Sequence, residues 1–303
     1  MKKVDKFFRT ILSLLLVCSF FEVKGQTTKM NLKIMTYNVR HCVGEDNVLN
    51  LDRTASVITK FSPDVIALQE LDSMCTRSGK VYQLSKLGDE TGMYATFSAA
   101  ISYGGGRYGV GILSKEKPIS VKRIALPGAE ARTFLICEFK NYVFACTHLA
   151  LEEVNRLSSF NIILGEAVKW NKKFFIAGDW NDTPTSSLIT EVKRSFILLN
   201  NTAMNTYPSV EPTECIDYLA SYASSVIVKN SLVPPEVVTS DHRPSLVDIQ
   251  FDVMLDGMKQ IKRKMDKKNI YDLNGNFLGN TEEDLQRQNR GIIIVDRKKF
   301  LMK

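Results

Sequence analysis

The sequence predicts a domain of the α+β class. Several apolar runs of strand length end on polar side chains, and segments with helical spacing of apolar residues lie between them. The 303-residue chain, with 44% hydrophobic and 24% charged residues, can bury a substantial core. These proportions exclude a disordered chain and a collagen-like repeat, and they fit one large domain with an appendage.

Three segments near the start of the body predict a strand, a helix and a second strand. Leu32–Asn38 alternates apolar and polar side chains as a half-buried strand does, and it ends on a carboxamide. A helix is predicted over 52–61, where apolar residues have helical spacing and a Ser-Pro step follows. Val65–Leu68 is a short apolar strand that places Gln69 and Glu70 at its end.

The middle of the chain predicts a hairpin and a long helix. Phe134–Phe139 and Tyr142–Thr147 are predicted to pair over a two-residue turn, and the second strand leads into His148. The helix is predicted over 152–170 from the spacing of its apolar residues. Its predicted inward face consists of Leu157, Phe160, Leu164 and Val168.

The run Phe174–Ala177 ends in Gly178, and Asp179 and Asn181 follow at the point where the strand stops. A strand that merely enters a turn can have the same pattern, because Asp and Asn are common turn residues. The pattern indicates a site because other segments also end in polar side chains. Later segments supply Asp217, Asp241 and His242, and a strand over 246–251 closes the body.

The net charge of +7 is not spread evenly along the chain. Residues 1–25 contribute +3 and residues 253–303 contribute +5, whereas residues 26–252 carry 23 basic and 24 acidic side chains. The body is therefore close to neutral, and the global charge gives no argument for a nucleic-acid partner.

The N-terminus has the pattern of an export signal. Four basic residues precede an uncharged run over 11–21, which is short for a membrane span and suits a signal peptide. Cleavage is predicted after residues 23–25, so that Gln26 begins the mature chain. A retained anchor and a lipoprotein attached through Cys18 are the alternatives, and Val17 disfavours the second. No other stretch is long and apolar enough to span a bilayer.

Five cysteines follow residue 25, an odd number, so at least one thiol stays free unless it pairs between chains. Cys137 and Cys146 lie in apolar strands and are predicted to be buried and unreactive. Cys42 and Cys75 each follow a strand end and are candidates for a disulfide. None of the cysteines has zinc-finger spacing.

Seven short motifs occur in an order typical of one superfamily. They are Thr36-Tyr37-Asn38, Leu68-Gln69-Glu70, Gly109–Ser114, Thr147-His148-Leu149, Gly178-Asp179-Trp180-Asn181, Ile216-Asp217-Tyr218 and Ser240-Asp241-His242. Through them residues 31–251 resemble the endonuclease/exonuclease/phosphatase superfamily, which includes DNase-I-like nucleases, abasic-site endonucleases, bacterial sphingomyelinases and inositol-phosphate phosphatases. The resemblance implies a four-layered α/β/β/α sandwich, in which two packed mixed β-sheets are flanked by helices and carry the site at one end.

The resemblance also implies a divalent cation. Cleavage of a phosphate ester needs charge neutralisation on the phosphoryl oxygens, a positioned water and help for the leaving oxygen. Glu70 is the main candidate ligand because carboxylates suit Mg²⁺, with Mn²⁺ and Ca²⁺ as alternatives. Asn38 is expected beside it as a neutral oxygen ligand or as an orienting residue. Asp241 would join the metal ligands or fix the orientation of the catalytic His242.

The same resemblance assigns roles in the reaction. Asp179 would orient or deprotonate the attacking water, and Asn181 would donate its amide to the phosphate. His242 would contact the phosphate or transfer a proton. His148 and Asp217 are expected to form a second His/Asp pair near the leaving group.

Other polar residues are candidates for substrate binding. Arg77, Arg107 and Arg132 have the charge that suits a phosphate, although arginines in loops are more often solvated. His41 is a candidate for the rim of the site. Gly104–Gly106 fits a loop tip rather than a phosphate cradle, because no Lys-Ser/Thr pair follows it.

The sequence therefore predicts a monomeric, metal-dependent hydrolase of phosphate esters, a phosphodiesterase or nuclease exported to the periplasm, cell surface or medium. Phospholipid and sugar-phosphate esters are the alternative substrates. The residues around Asp241 do not resemble the signature of inositol-polyphosphate phosphatases, and the chain lacks a long apolar hairpin suited to membrane insertion. A noncatalytic surface or adhesion protein of the same fold is the alternative function, which the complete set of polar residues disfavours.

The C-terminal tail is predicted to be a separate piece. Its segments 270–279 and 290–303 each combine a strand run with a turn signal. They resemble the sorting tails of proteins exported by the type IX secretion route, which implies contact with that export machinery; a small β appendage is the alternative. The predicted division is a signal peptide over 1–25, a catalytic domain over 26–252, and a basic linker with a β tail over 253–303.

Overall fold

Two six-stranded β-sheets dominate residues 29–251 in a computed structural model that describes residues 27–223, 225–254, 270–272, 277–279, 291–295 and 298–302. The first sheet contains β1 (Thr27–Asn38), β2 (Val65–Ser73), β3 (Tyr94–Tyr103), β4 (Gly106–Ser114), β11 (Ile227–Leu232) and β12 (Ser245–Met254). The second contains β5 (Ser120–Leu126), β6 (Arg132–Glu138), β7 (Tyr142–His148), β8 (Lys173–Asp179), β9 (Phe196–Leu198) and β10 (Asp217–Tyr222). The predicted signal peptide and the linker over 255–268 lie outside the described residues.

Both sheets are mixed. The strand orders are β11-β12-β1-β2-β4-β3 and β5-β6-β7-β8-β10-β9. In each sheet one central pair is parallel, β1 with β2 and β7 with β8. The neighbouring pairs β2–β4, β6–β7 and β8–β10 are antiparallel. The parallel pairs place the C-terminal ends of four central strands where functional side chains can gather.

Four α-helices of the described residues cover the outer faces of the sheets: α1 (Leu51–Phe61), α2 (Gln83–Thr91), α3 (Glu153–Ala167) and α4 (Ser187–Val192). Apolar residues of α1 and α2 pack on the first sheet, and those of α3 and α4 pack on the second. Between the sheets, the Phe175 ring of β8 lies 5.2 Å from the Phe251 ring of β12. The predicted four-layered α/β/β/α sandwich is confirmed, and it matches the fold of known structures described below.

Local signals correctly located α1 and the hairpin of β6 and β7. The side chain of Asn50 caps α1 by accepting a hydrogen bond from the Arg53 N–H. The helix ends at Phe61, and the capping residue Ser62 has a left-handed backbone with φ of 46°. The residue before Pro63 cannot readily stay helical, so this end agrees with the prediction.

The prediction for α3 needs correction in its length and its face. The helix ends at Ala167, three residues before the predicted end, and Val168 is 54% exposed. Phe160, Ile163 and Ala167 form the buried face, while Leu157 and Leu164 pack only partly against the core. The buried stripe therefore follows the Phe160–Ile163–Ala167 spacing, because these side chains meet the second sheet.

The strand β2 does not stop at Leu68 as predicted but continues to Ser73. Its pairing with β4 shifts register between Leu68 and Leu71, and Glu70 within this bulge has a φ of 60°. The bulge lets one strand present a site residue and still continue. Several other elements were not predicted from the sequence: α2, α4, β3, β5, β9 and β11.

The described C-terminal strands form a separate antiparallel sheet of β13 (Ile270–Asp272), β14 (Phe277–Gly279), β15 (Gly291–Val295) and β16 (Lys298–Met302). Its strand order is β14-β13-β15-β16. Each of the two predicted tail segments thus contains two strands.

All five cysteines of the described chain are buried free thiols. The predicted pairing of Cys42 with Cys75 is wrong, and the Cys75 thiol instead donates to the Arg107 carbonyl oxygen at 3.2 Å. Burial raises the pKa of Cys137 and of Cys146 to about 12, which agrees with their predicted lack of reactivity. Within the described residues, no helix is both long and apolar enough to cross a membrane.

Candidate active site

The predicted site residues meet at one end of the two sheets. Asn38 ends β1 and Glu70 lies in the β2 bulge of the first sheet. In the second sheet His148 ends β7 and Asp179 ends β8, and the two residues are register partners. Asp217 begins β10 opposite Asp179. The loop before β12 adds Asp241 and His242.

Asp179 is the hub of this group and is only 1% exposed. Its Oδ1 accepts a hydrogen bond from the Asn181 N–H at 2.9 Å, and its Oδ2 accepts one from Asn38 Nδ2 at 3.0 Å. The Nε2 atoms of His148 and His242 each lie 3.6 Å from Oδ2. One buried carboxylate therefore faces an amide and two imidazoles.

The residues around Asp179 explain how the strand end is held. A Cβ on Gly178 would lie 2.0 Å from the Thr147 carbonyl oxygen, so only glycine lets β8 approach β7 this closely. Trp180 is buried, and its ring lies 5.0 Å from that of Tyr218. Asn181 has a left-handed φ of 51°, a conformation that asparagine tolerates. Close packing on both sides thus fixes the direction of Asp179.

One N–H of the Asn181 side-chain amide is already hydrogen-bonded within the protein. Its Nδ2 donates to the Leu149 carbonyl oxygen at 2.8 Å. A carboxamide nitrogen carries two hydrogens, so one donor remains for the predicted contact with a phosphate.

Asn38 links carboxylates from both sheets. Its Nδ2 donates to Glu70 Oε1 and to Asp179 Oδ2, each at 3.0 Å, while its Oδ1 accepts from the Arg40 N–H at 3.1 Å. The Ser240 hydroxyl donates to the Asn38 carbonyl oxygen at 2.7 Å. These bonds support the orienting role among the two that the sequence suggested for Asn38.

Glu70 is a partly buried acid of the first sheet. Burial raises the pKa of its carboxyl, the Asn38 hydrogen bond opposes that rise, and Asp241 and Asp179 add to it. Three acidic groups therefore concentrate negative charge on one side of the site.

His242 is oriented by Asp217, not by Asp241. Its Nδ1 is hydrogen-bonded to Asp217 Oδ2 at 2.9 Å, and Asp217 is fully buried. Burial alone would lower the pKa of His242, but the carboxylates of Asp217 and Asp179 outweigh it and raise the pKa to about 10. His242 therefore carries a positive charge at neutral pH.

The predicted pairing of His148 with Asp217 is wrong. Asp217 uses Oδ2 for His242, and its Oδ1 has no hydrogen-bond partner among the described residues. His148 turns towards Asp179 instead. Burial, opposed by Asp179 but assisted by Arg132 and His242, lowers the pKa of His148 to about 4. The two histidines thus differ in charge near neutral pH.

Two sets of donor atoms could hold a cation. Asp179, Asp217 and His242 form a candidate metal triad whose donor atoms lie within 4.8 Å of one another. Glu70 and Asp241 form the other set, which provides oxygen atoms alone. The Asp241 carboxylate lies 3.7 Å from Arg40 Nε and accepts from the Ser240 hydroxyl at 3.2 Å. Mg²⁺ prefers oxygen ligands, so the second set suits it better.

The four candidates for substrate binding lie in different surroundings. Arg77 donates two hydrogen bonds to the Asp72 carboxylate, through Nε and Nη2. Arg107 donates to the Ser102 hydroxyl in the exposed β3–β4 hairpin. Arg132 is 7% exposed, pairs with Glu130, and leaves Nε without a partner among the described residues. Its charge lies close enough to His148 to lower the pKa of that residue.

His41 lies in the short helical turn Arg40–Cys42 that follows β1, and it has a φ of 44°. Burial lowers its pKa, and the charge of Arg77 lowers it further. Its Nδ1 has no hydrogen-bond partner in the described part of the chain.

Two further residues that contact the site were not predicted. The Tyr207 ring lies 4.8 Å from that of His242. The buried Ser240 hydroxyl donates to the Asn38 carbonyl oxygen. Ser240 belongs to the Ser-Asp-His motif and could have been found there, whereas nothing in the sequence around Tyr207 marks it.

Comparison with known proteins places this geometry in context. The model of the endonuclease/exonuclease/phosphatase family matches residues 35–242. No curated protein matches the sequence. The endonuclease/exonuclease/phosphatase from Bacteroides vulgatus superposes with a TM-score of 0.62 at 18% identity, over 73% of this chain and 98% of its own.

Two other solved structures share the fold. The mannosyl-6-phosphatase of Bacteroides thetaiotaomicron has a TM-score of 0.60 at 17% identity, over 73% of this chain and 100% of its own. The human nocturnin catalytic domain with bound sulfate has a TM-score of 0.55 at 17% identity, over 74% of this chain and 96% of its own.

Proposed function

The chain belongs to the endonuclease/exonuclease/phosphatase family, and from this membership we propose that it hydrolyses phosphate esters with the help of a divalent cation. The observation that carries the proposal is the convergence of His148 and His242 on the buried carboxylate of Asp179. A carboxylate beside one neutral and one charged imidazole can both accept and supply protons. A noncatalytic protein would have no need for this buried arrangement.

We assign the cation to Glu70 and Asp241. Glu70 is partly buried, and its described hydrogen-bond partner is the neutral amide of Asn38. Partial burial and the nearby carboxylates of Asp241 and Asp179 all disfavour a charged Glu70, so a cation at this place would offset them. When bound, the cation would neutralise negative charge on the phosphoryl oxygens. We expect Mg²⁺, with Mn²⁺ and Ca²⁺ as the other candidates.

The side chains suggest a single in-line displacement. A water oxygen forms a bond to phosphorus while the bond from phosphorus to the ester oxygen breaks. Asp179 accepts a proton from the water, and the charged His242 gives a proton to the leaving oxygen. Asp217 keeps the His242 ring in place through Nδ1, which leaves Nε2 towards the site. The products are an alcohol and a phosphate, or a phosphate monoester when the substrate is a diester.

The substrate class is a second part of the proposal. The motifs favour a phosphodiesterase or nuclease, and the near-neutral body leaves other esters open. A sugar phosphate is the second candidate, because a protein of this fold from Bacteroides thetaiotaomicron is a mannosyl-6-phosphatase. Phospholipid head groups complete the set.

Hydrolysis assays on the full mature chain test the proposal. We expect turnover of bis-p-nitrophenyl phosphate or p-nitrophenyl phosphate with Mg²⁺ and none with EDTA. The Asp179→Asn variant keeps the shape of the side chain but loses its charge, and its rate should fall by about 100-fold or more. Asp89→Asn, an exposed position on α2, is the matched control.

A folded chain without Mg²⁺-dependent turnover on these esters, nucleic acid, phospholipid and sugar phosphates would contradict the proposal. Equal rates for Asp179→Asn and the parent chain would instead contradict the role of Asp179.

We also propose that the hydrolase works outside the cytoplasm. The supporting observation is the basic and then apolar pattern of residues 1–21. Mass spectrometry of protein recovered from fractionated cells of the native host should find Gln26 as the first residue. A chain that retains residues 1–25 in the cytoplasmic fraction would contradict export.

A further inference from the structure

Arg156, in the first turn of α3, contacts two loops that carry site residues. The β7 loop (residues 149–152) follows His148, and the β8 loop (residues 180–186) follows Asp179. The Arg156 side chain is only 11% exposed. Arginine is rarely buried this far unless it is paired, so the partners of this guanidinium indicate what it does.

One guanidinium bonds both loops. Its Nε donates to Asp182 Oδ2 at 2.9 Å in the β8 loop. Its Nη1 donates to two carbonyl oxygens of the β7 loop, that of Ala150 at 3.4 Å and that of Leu151. The donors of a guanidinium lie in one rigid plane, so these bonds also set the separation of the two loops. A lysine ammonium at the end of a flexible chain would not set it in this way.

Asp182 is a firm partner for Arg156. Its side chain is 10% exposed, and its Oδ1 accepts from the Thr183 N–H at 3.1 Å. Its carbonyl oxygen accepts from the hydroxyl of Tyr218, a fully buried residue of β10, at 2.8 Å. The β8 loop is therefore tied to the second sheet on one side and to α3 on the other.

Asn181 spans the same two loops. Its Nδ2 donates to the Leu149 carbonyl oxygen at 2.8 Å, and the Leu149 N–H donates to the Asp179 carbonyl oxygen at 2.9 Å. Arg156 thus bonds Ala150, which follows Leu149, and Asp182, which follows Asn181. The direction of the Asn181 amide depends on both of these neighbouring positions.

The conformation of Asn181 needs support from its surroundings. Its φ of 51° lies in the left-handed region, where a residue other than glycine persists only if the structure around it holds it there. Leu151 is 70% exposed, so apolar packing of its side chain contributes little to holding the β7 loop. The hydrogen bonds of Arg156 supply this support for both loops.

We propose that Arg156 is a positioning residue for the contact between Asn181 and the phosphate. It holds the β7 and β8 loops at one separation, so that the remaining N–H of the Asn181 amide is directed at a phosphoryl oxygen. Arg156 does not bind the substrate, because its charge is balanced by Asp182. This inference rests on the proposed function for the place of the phosphate beside Asp179.

Hydrogen exchange followed by NMR tests this role in the full mature chain without substrate. The Leu149 and Asn181 amides, which both donate to Asp179, should exchange about tenfold faster in Arg156→Lys than in the parent. Arg194→Lys is the matched control, because Arg194 is 70% exposed in its ion pair, and it should keep the parent rates. Parent exchange rates of both amides in Arg156→Lys would overturn the proposal.

A double-mutant cycle on kcat/KM for bis-p-nitrophenyl phosphate or p-nitrophenyl phosphate tests whether Arg156 acts through Asn181. Arg156→Lys should lower kcat/KM about tenfold in the parent chain. In the Asn181→Ala background it should lower kcat/KM by less than about twofold, because the amide that it positions is then absent. The same fold loss in both backgrounds would contradict the proposal, since a general loss of order does not require Asn181.

A second variant covers the case in which Arg156→Lys does not fold. The double variant Arg156→Met with Asp182→Asn leaves no buried charge without a partner. It also removes the bonds to the β7 loop, so it should show the same faster exchange and the same dependence on Asn181. Parent exchange rates in this variant would likewise overturn the proposal.

The two measurements separate this proposal from the hydrolase itself. Faster exchange of the Leu149 and Asn181 amides, with no turnover of any ester, would support the positioning role of Arg156 and contradict the hydrolase. Turnover in the parent chain, with parent exchange rates in the Arg156 variants, would support the hydrolase and contradict the positioning role.

Discussion

Gly178 is the position where the smallest change should have the largest effect. The Gly178→Ala substitution adds a Cβ that would lie 2.0 Å from the Thr147 carbonyl oxygen, about 1 Å short of the closest approach that a Cβ makes. That oxygen belongs to the backbone of β7, a central strand of the second sheet, so it cannot turn away as a side chain could. The strands must therefore separate.

The size of the effect follows from this geometry. Forcing an extra methyl group into a packed core costs about 1 to 3 kcal/mol, and a backbone neighbour favours the upper end. Gly178 precedes Asp179 and Thr147 precedes His148, so a separation of the strands also moves two site residues. A displacement of about 1 Å lowers enzymatic rates by roughly 100-fold.

Urea unfolding followed by circular dichroism, and turnover of p-nitrophenyl phosphate, measure both effects. Gly165→Ala is the control, because that glycine is exposed in α3 and a Cβ there meets nothing within 4 Å. The control should be as stable as the parent or more stable by up to about 1 kcal/mol. If Gly178→Ala unfolds at the parent urea concentration and keeps the parent rate, the close approach of β7 and β8 does not constrain the site.

Three other predictions follow from charged groups. The raised pKa of His242 stabilises the fold fully below pH 6.5, and this contribution is lost as pH rises through about 10. In the Asp217→Asn variant the pKa of His242 should be lower, so His242 should lose its proton at a lower pH. NMR titration of the His242 imidazole in the presence of EDTA measures this pKa. The same titration curve for variant and parent would contradict the prediction. Arg156 and Asp182 form a pair at 2.9 Å with side chains only 11% and 10% exposed, so Arg156→Ala should destabilise the fold by about 3 kcal/mol in urea unfolding. Arg194→Ala is the control, because the Arg194 side chain is 70% exposed in its ion pair with Glu191, and it should change stability by less than about 1 kcal/mol. Equal losses of stability in Arg156→Ala and Arg194→Ala would contradict the greater contribution of the buried pair. Dialysis against EDTA should abolish turnover and added Mg²⁺ should restore it, whereas turnover that persists in EDTA would exclude the cation's role.

The site could be predicted where its residues follow apolar strands. Asp179 comes directly after a buried run, and the end of that run is visible in the sequence. The Glu70 bulge could not be predicted, because a positive φ in a non-glycine residue depends on pairing with β4. For this reason β2 was predicted to stop at its functional residue, whereas the strand continues beyond it.

Pairings across the fold were harder to predict than the residues themselves. The motifs named His148, His242 and Asp217 but carried no information on which histidine meets the carboxylate. That choice is made by the register of β10 with β8 and by the loop before β12. The prediction of the inward face of α3 was wrong for a similar reason. Leu157 and Ile163 are equally apolar, and only the packing against the second sheet decides which of them is buried. Short elements such as α4 and β9 have too few residues for a period to be seen.

The hydrogen bond between Asn38 and Asp179 joins the two sheets at 3.0 Å, with one partner on β1 and the other on β8. The distance between those side chains therefore depends on the thickness of the apolar layer between the sheets, such as the Phe175 and Phe251 contact. The hydrogen bond of Asn38 to Asp179 is therefore sensitive to the spacing between the two sheets. A small expansion of the interior would break this bond, while the backbone hydrogen bonds between neighbouring strands within each sheet would remain. On heating, turnover should accordingly fail at a lower temperature than the β-sheet signal.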